Sequence, residues 1–342
     1  MFELLNTLYV QAQGANLGLD HDNVRVRVEG EEMARVPLMR VESIVVFGNV
    51  SVTPFLIHRC GEDGRAIVWM TRAGRFRARI AGPTRGNVLL RRQQHDASTL
   101  PEWTARVARQ VVAGKLQNSR LILLRAAREA EGEQAALLGE AAARIATTLT
   151  RLPHILNLDE LRGAEGEAAR TYFGVFGHML RAGPGAGEGF DRSRRPPRDG
   201  ANALLSFLYA LLREDCVSGL EGVGLDPQVG FLHTARPGRP ALALDLMEEL
   251  RPLMADRLAL TLLNRRELGA QSFEALAHGG VQLTDEGRRL VLTAWRERKE
   301  RLVTHRLLKT KIEAGLVPHI QARLLARHLR GDLDHYPPFI GR

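Results

Sequence analysis

One histidine and several carboxylates lie close together in the chain between residues 229 and 256. His233 precedes a segment with helical spacing that carries Asp245, Glu248 and Glu249. Residues three apart lie on the same side of a helix, so Asp245 and Glu248 are expected to face together. One imidazole beside convergent carboxylates suits a divalent cation such as Mn²⁺ or Mg²⁺, whereas structural zinc favours thiolates and several histidines. The segment therefore predicts a site for a hard cation.

A second segment, GAEGEAARTYF over residues 163–173, offers Glu165 as a third ligand. Gly163 and Gly166 flank it where a residue with a side chain would favour a helix, which indicates a close backbone approach. In a strongly basic protein, such a site indicates phosphodiester chemistry on nucleic acid, because a cation can neutralise charge on the phosphate and stabilise the attacking and leaving oxygens. Any one of these residues alone is better explained as a solvated helix residue or, for His233, as the cap of a turn.

The composition favours a polyanionic partner. The 342 residues carry a formal net charge of +9, and the sequence pI is about 10.3. Of the 48 basic residues, the lysines are Lys115, Lys299, Lys309 and Lys311 and all others are arginine. Arginine binds phosphate oxygens bidentately. A GC-rich genome, whose codons favour arginine, would explain the ratio of the two residue types but not the net charge.

The arginine-rich segment DRSRRPPR, residues 191–198, predicts contact with a phosphate backbone. Its prolines keep it extended and out of a helix. A charge run of this kind is usually a solvated loop, but Arg236 and Arg239, just after the candidate histidine, favour the DNA interpretation. Lys115 and Arg120 are a weaker example, because a solvated helix face explains them equally well. The predicted nucleic-acid-binding residues are Arg192, Arg194, Arg195, Arg198, Arg236 and Arg239.

Several other classes of protein lack support in the sequence. Cys60 and Cys216 form no CxxC pair, which fits a reducing cytoplasm. We find no P-loop, no GxSxG and no zinc-type Cys/His spacing. No apolar run is long enough for a membrane span, and the first ten residues do not resemble a signal peptide. The expectation is a soluble cytoplasmic protein with no membrane partner.

The elements that must position these residues change character along the chain. Short runs with β-branched or alternating residues fill the first eighty positions and predict strands. The predicted strands cover residues 5–12, 24–28, 43–47, 66–70 and 75–80, with one short helix at 51–58. From about residue 101, apolar residues recur at helical spacing, and a glycine-rich loop interrupts them at 181–189. The predicted helices cover residues 102–128, 132–152, 156–180, 202–213, 287–303 and 312–329.

The predicted fold class is therefore α+β. A hydrophobic content of 44% over this length suffices for one large core or two modest ones. We predict a small N-terminal β-sandwich-like domain over residues 1–82, a linker over 83–100 and a larger all-α catalytic domain over 101–342.

Three ordered segments resemble the CRISPR-associated integrase, the first of the Cas proteins. They are GAEGEAARTYF, then FDRSRRPPRDGANALLSFLYALL at 190–212, then GFLHTARPGRPALALDLMEELRP at 230–252. The resemblance covers essentially the whole chain, including the order of β and α regions. The segment ARLLARHLRGDLDHYPPF at 322–339 resembles the type I-C branch of that family.

The resemblance implies a metal site built from the Glu of GxEG, the His of FLH and the last acid of DLME. Here these are Glu165, His233 and Glu248, and Asp245 matches a further acidic position that supports the site. Some relatives have Asp at the last position, so the longer Glu248 would alter the detailed coordination. The implied cofactor is Mg²⁺ or Mn²⁺.

The implied activity is spacer acquisition in antiviral defence, in which short foreign DNA is inserted into the CRISPR array. The 3′-hydroxyl of the captured duplex attacks a phosphodiester at the repeat boundary, and no nucleotide cofactor is needed. The implied partners are double-stranded DNA (prespacer and CRISPR repeat), a second copy of the chain contacted through the β domain, and the small second Cas protein.

Two alternatives stay open. One is a structure-specific DNA nuclease that acts on branched repair intermediates, and the other is a non-catalytic DNA-binding scaffold. The intact Glu–His–Glu set argues against the scaffold, since a degenerate site would be free to lose those residues.

Overall fold

The computed structural model describes residues 7–72, 76–80, 82–83, 88–181, 187, 190–277 and 279–341. Strands dominate its first part, with one helix, α1, at Pro54–Glu62. The strands are β1 Thr7–Val10, β2 Ala15–Asp20, β3 Asn23–Val28, β4 Glu31–Pro37, β5 Ser43–Phe47, β6 Val50–Val52, β7 Ala66–Met70 and β8 Phe76–Ile80.

These strands form two four-stranded sheets, in the orders β1-β5-β7-β8 and β4-β3-β2-β6. In the first sheet β1, β5 and β7 are parallel and β8 is antiparallel to β7. Strand β5 is buried on both faces: Ile44 and Val46 pack into the core between the sheets, whereas Val45 and Phe47 pack into the helical core. The Phe47 ring stacks 5.9 Å from that of Phe207. Burial on both faces explains why β5 is apolar without alternation.

Most of the predicted strands are confirmed. The strands predicted at 43–47 and 66–70 match β5 and β7 residue for residue, and the one at 24–28 matches β3. The strands predicted at 5–12 and 75–80 match β1 and β8, although residues 5, 6 and 75 lie outside the described residues. Strands β2, β4 and β6 escaped prediction; β4 is an exposed, charged edge strand.

The helix predicted at 51–58 is displaced along the chain. Residues 50–52 pair with β2 as a parallel strand, so the helix begins only at Pro54, where proline suits the first turn, and continues to Glu62.

Helices dominate the rest of the described chain. Helix α3 packs against α4, α5 and α7, and α6 packs against α7 and α10. The helices are α2 Val88–Thr99, α3 Pro101–Glu129, α4 Gly132–Arg151, α5 Leu158–Gly174, α6 Gly200–Val223, α7 Ala241–Arg251, α8 Arg257–Asn264, α9 Asp285–Glu300 and α10 Val317–Leu329.

The α+β class, with the β region first, is confirmed, but the second part is largely rather than wholly helical. Two antiparallel hairpins interrupt it: β9 Phe273–Ala275 with β10 Val281–Leu283, and β11 Leu302–His305 with β12 Thr310–Glu313. The second hairpin shortens both helices predicted around it, because α9 ends before residue 302 and α10 begins after residue 313.

Helix α2 lies inside the segment 83–100 that we predicted as a linker, and the domain bounds stay a prediction. The glycine-rich loop at 181–189 lies mostly outside the described residues. Among the helices that the structure describes, none is both long and apolar enough to cross a membrane.

Candidate metal and nucleic-acid site

Asp245, at the middle of α7, organises the loop that carries His233. Its Oδ2 accepts hydrogen bonds from the backbone N–H groups of Phe231 and Leu232, at 2.6 and 2.9 Å. Its Oδ1 accepts one from the backbone N–H of His233 at 2.9 Å and lies 2.7 Å from His233 Nδ1. Gly230 is required here, because a Cβ at that position would lie 2.8 Å from Asp245 Oδ2. Since Nδ1 is engaged by Asp245, Nε2 is the imidazole nitrogen left for a ligand.

Glu248 lies on the same side of α7, as its spacing from Asp245 predicts. Its Oε1 is 3.9 Å from His233 Nε2 and 2.5 Å from Arg251 Nη1, and its Oε2 is 2.6 Å from Lys115 Nζ. The side chain is only 3% exposed. Burial alone would raise the pKa of Glu248, but the positive charges of Arg251 and Lys115, with a smaller effect of His233, lower it to about 2. Glu248 is therefore a carboxylate at neutral pH.

Glu165 reaches the same place from α5. The ammonium of Lys115, on α3, forms an ion pair with Glu165 Oε1 as well as with Glu248 Oε2. Lys115 is buried, with 9% of its surface exposed. Glu165 and Glu248 are thus brought from separate helices to one lysine nitrogen, His233 Nε2 lies 3.9 Å from Glu248 Oε1, and Asp245 lies behind the imidazole.

The donor set fits a hard dication, although the side chains do not form a finished coordination shell. No group of three or more His, Cys, Asp or Glu side chains in the described ranges is close enough to hold a metal ion. In this structure the Lys115 ammonium lies between the carboxylates of Glu165 and Glu248. Two carboxylates with one imidazole nitrogen are ligands that Mg²⁺ and, more readily, Mn²⁺ accept. Glu165, Glu248 and His233 would supply such a donor set.

Arg251 is a site residue that the sequence analysis missed. It follows Glu248 by three residues on α7, a spacing that places it on the same face and could have indicated it. Its guanidinium also lies 4.5 Å from the centre of the Tyr209 ring, and Tyr209 donates a hydrogen bond to Asp256 at 2.6 Å. Burial lowers the pKa of Arg251, but Glu248, Tyr209 and Asp256 raise it overall, so Arg251 stays protonated beside Glu248.

A model of the family described as CRISPR associated protein Cas1 matches residues 8–297 of the chain. The chain belongs to the Cas1 family. It is similar to a protein of Rhodospirillum rubrum named CRISPR-associated endonuclease Cas1 2, with 52% identity over 347 aligned positions that cover 99% of each chain.

Two solved structures share the fold. A casposase bound to integration product superposes with a TM-score of 0.82 at 20% identity, over 97% of this chain and 93% of that one. A chain of a Cas6-RT-Cas1–Cas2 complex superposes with a TM-score of 0.84 at 21% identity, over 98% of this chain and 36% of that one. At these identities the likeness concerns the Cas1 fold alone.

The arginine-rich segment at 191–198 of this Cas1 family member, here called the arginine strip, divides into an inner and an outer part. Arg192 is turned inward: its guanidinium donates to Asn202 Oδ1 at 2.8 Å and to Ser206 Oγ at 3.2 Å. Burial lowers its pKa. These bonds use donors of Arg192 inside the fold, so we expect it to contribute little to DNA binding. Arg194, Arg195 and Arg198 are exposed.

Arg194 connects the strip with the candidate metal site. It lines a small cavity of about 20 Å³ together with Lys115 and Arg251. On the loop after His233, Arg236 is exposed and Arg239 is half-buried. The outer arginines stay predicted DNA contacts.

The glycines around Glu165 do not mark a close backbone approach. Among the described residues, nothing lies within 4 Å of a Cβ built on Gly163, and at Gly166 the nearest atom is Arg170 Nη1 at 3.9 Å. The expectation of tight packing is wrong at this point. The two glycines themselves add no side chain beside Glu165.

Proposed function

We propose that this chain is a metal-dependent DNA endonuclease and integrase of CRISPR adaptation. It would insert short foreign DNA into the CRISPR array by transesterification. The observation that carries the proposal is the meeting of Glu165 and Glu248, from two helices, at one buried cation, with His233 Nε2 beside Glu248. The name of the R. rubrum relative, an endonuclease, supports the same reaction class. The type I-C assignment rests on the segment at 322–339.

The cofactor we propose is Mg²⁺ or Mn²⁺, held by Glu165, His233 and Glu248. When bound, such an ion neutralises charge on the phosphate and lowers the pKa of a hydroxyl or water. The protein prepares the site in advance. Asp245 orients the imidazole, and Arg251 keeps Glu248 ionised, so Glu248 releases no proton before it binds a cation.

The reaction conserves the number of phosphodiester bonds. The 3′-hydroxyl of the inserted strand loses its proton and forms a new P–O bond, while the P–O bond to the 3′-oxygen of the target strand breaks and that oxygen takes up a proton. No nucleotide cofactor is therefore required. If water takes the place of the hydroxyl, the same site nicks DNA, which is consistent with endonuclease activity.

A strand-transfer assay tests the proposal. A labelled duplex with free 3′-hydroxyls is incubated with a repeat-bearing plasmid, Mn²⁺ or Mg²⁺ and, as a separate arm, the small second Cas protein. We expect joined products that chelation and Glu165→Gln both abolish. Glu167→Gln is the matched control, because Glu167 is exposed on the same helix two residues away.

The outcomes separate the alternatives. Products that are cut but never joined would support the structure-specific nuclease. DNA binding without any metal-dependent turnover would support the scaffold and contradict our proposal.

For assembly, we propose a homodimer through the β region that engages double-stranded DNA and the small second Cas protein in the cytoplasm. The most exposed large apolar side chains described in the β region are Met33 (67%), Met39 (86%) and Phe55 (76%). A contiguous apolar patch is typical of interfaces, and we propose that these side chains contribute to one. We expect Met39→Glu with Phe55→Glu to convert dimers to monomers in light scattering, and an unchanged molar mass would contradict the assignment of this surface. The shared fold with a chain of a Cas1–Cas2 complex supports the partner.

A further inference from the structure

We propose that Lys115 is the resident counter-cation of the metal-free site, and that its ammonium must leave the two carboxylates for a divalent metal to bind. The inference rests on the proposed metal site. It concerns how the charge of that site is balanced without a metal and what must move when a metal binds, rather than which residues form the site.

The Lys115 nitrogen occupies the position between the two carboxylates. One Lys115 nitrogen forms ion pairs with Glu165 and, at 2.6 Å, with Glu248 Oε2. Metal–oxygen distances in Mg²⁺ and Ca²⁺ sites range from about 2.0 to 2.6 Å. A metal that bound both carboxylates would therefore occupy nearly the same position as Nζ. The ammonium and the metal exclude each other.

The charges around the site also support this role of Lys115. The carboxylates of Glu165 and Glu248 are matched by the cations of Lys115 and Arg251, so the four side chains are balanced without a metal. Two carboxylates this close, one of them buried, would repel each other with no cation between them. Lys115 therefore holds α5 and α7 together at the site until a metal takes over this role.

The choice of lysine rather than arginine at position 115 suits a cation that must be displaced. The chain has only four lysines among 48 basic residues, and one of them is at this position. An ammonium is a compact charge on a flexible four-carbon stem, whereas a guanidinium is a rigid planar fork. Lysine can withdraw from two carboxylates with little rearrangement. The cavity of about 20 Å³ lined by Lys115, Arg194 and Arg251 provides adjacent space for the displaced nitrogen.

Lys299 provides an internal comparison. It is also buried, but its ammonium pairs with Asp215 at 2.8 Å, away from the candidate ligands. Metal binding should therefore change the environment of Lys115 and leave that of Lys299 unchanged.

Mn²⁺ binding to the full chain, followed by the EPR signal of free Mn²⁺, tests the inference. We expect Lys115→Met to bind Mn²⁺ at least about tenfold more tightly than the unsubstituted protein, because the competing charge is gone. Lys115→Arg should bind it more weakly. Arg128→Gln is the control for the loss of one positive charge, since Arg128 is exposed on the same helix, and its affinity should be unchanged.

A second measurement needs no activity and no tighter-binding variant. With ¹³C at the lysine ε-carbon, the protein has four side-chain signals, and Lys115→Arg identifies the one from Lys115. Added Mg²⁺ should shift that signal and leave the Lys299 signal in place.

The results distinguish an error in the proposed metal site from an error in the role of Lys115 alone. If the unsubstituted protein binds neither Mn²⁺ nor Mg²⁺, the proposed metal site is wrong and the inference is overturned with it. If it binds metal but the Lys115 signal stays in place, or Lys115→Met binds metal no more tightly, the inference alone is overturned and the metal site stands.

Discussion

The two faces of α7 carry adjacent glutamates in opposite environments. Glu248 faces Lys115 and Arg251, and their charges lower its pKa to about 2 despite burial. Glu249 is fully buried against the C-terminal segment, where Oε1 accepts hydrogen bonds from Tyr336 Oη at 2.5 Å and Gln321 Nε2 at 3.0 Å. Burial raises the pKa of Glu249 to about 7, although its hydrogen bonds oppose the shift.

The difference teaches that burial alone does not assign a role to an acid. Glu248 meets two cations within the proposed metal site, whereas Glu249 meets neutral donors and fastens the C-terminal segment to α7. Gly114 allows this close packing, because a Cβ there would lie 2.8 Å from Pro338 Cβ and 2.9 Å from Glu249 Cβ. Asn118 completes the attachment by donating to the carbonyl oxygen of Glu249.

The largest effect should separate the two acids by activity. We expect Glu248→Gln to lower the rate of strand transfer by about 1000-fold, or about 4 kcal/mol of transition-state stabilisation, since a ligand of the proposed metal is lost. Glu249→Gln should keep most of the activity. Initial rates at saturating Mn²⁺ measure both, and equal losses would break the comparison.

For the stability of the fold, we expect the larger effect at Glu249 instead of Glu248. Glu249→Leu leaves the Tyr336 hydroxyl and the Gln321 amide without their buried acceptor, and we expect it to destabilise the fold by about 3 kcal/mol. Urea unfolding of the metal-free protein measures the loss. Glu267→Leu, at a half-exposed residue, is the control and should change stability little.

The pH dependence should also differ between the two acids. Because the folded pKa of Glu249 is raised, its protonated form stabilises the fold fully below its unfolded pKa, and this contribution is lost as pH rises towards and through about 7. Glu248 has a lowered folded pKa, so its contribution is present above its unfolded pKa and is lost as pH falls towards about 2. Between pH 5 and 8 we expect the stability difference between the unsubstituted protein and Glu249→Gln to fall by about 2 kcal/mol. Urea midpoints across this range test the prediction, and a difference independent of pH would contradict it.

The smallest effect concerns the arginine strip, where the same contrast between inner and outer partners recurs. Arg194→Gln should weaken DNA binding for all sequences and lower the salt dependence by roughly one counterion. Arg192→Gln should lower the unfolding temperature while it leaves the salt slope unchanged, since its donors are used inside the fold. An unchanged slope for Arg194→Gln would remove that residue from the interface.

The sequence indicated where the candidate ligands lie but not what surrounds them. The spacing of Asp245 and Glu248 correctly placed them on one side of a helix, because helical periodicity is a local property. Lys115 was considered only as a surface contact with phosphate. Its rarity in an arginine-rich chain, and its position beside Gly114 within the apolar stretch at 111–116, were the available signals.

By itself, the sequence determined the order of β and α regions, the strands β5 and β7, and the resemblance to the Cas1 family, because each depends on residues that are near neighbours in the chain. Only the tertiary structure decided that Glu165 and Glu248 share one lysine, that Arg192 points inward, and that two adjacent glutamates differ in pKa. Ion pairing and burial depend on which distant segments pack together. Here the middle of α3 and the last residues of the chain determine the two environments of α7, and no local spacing encodes that meeting.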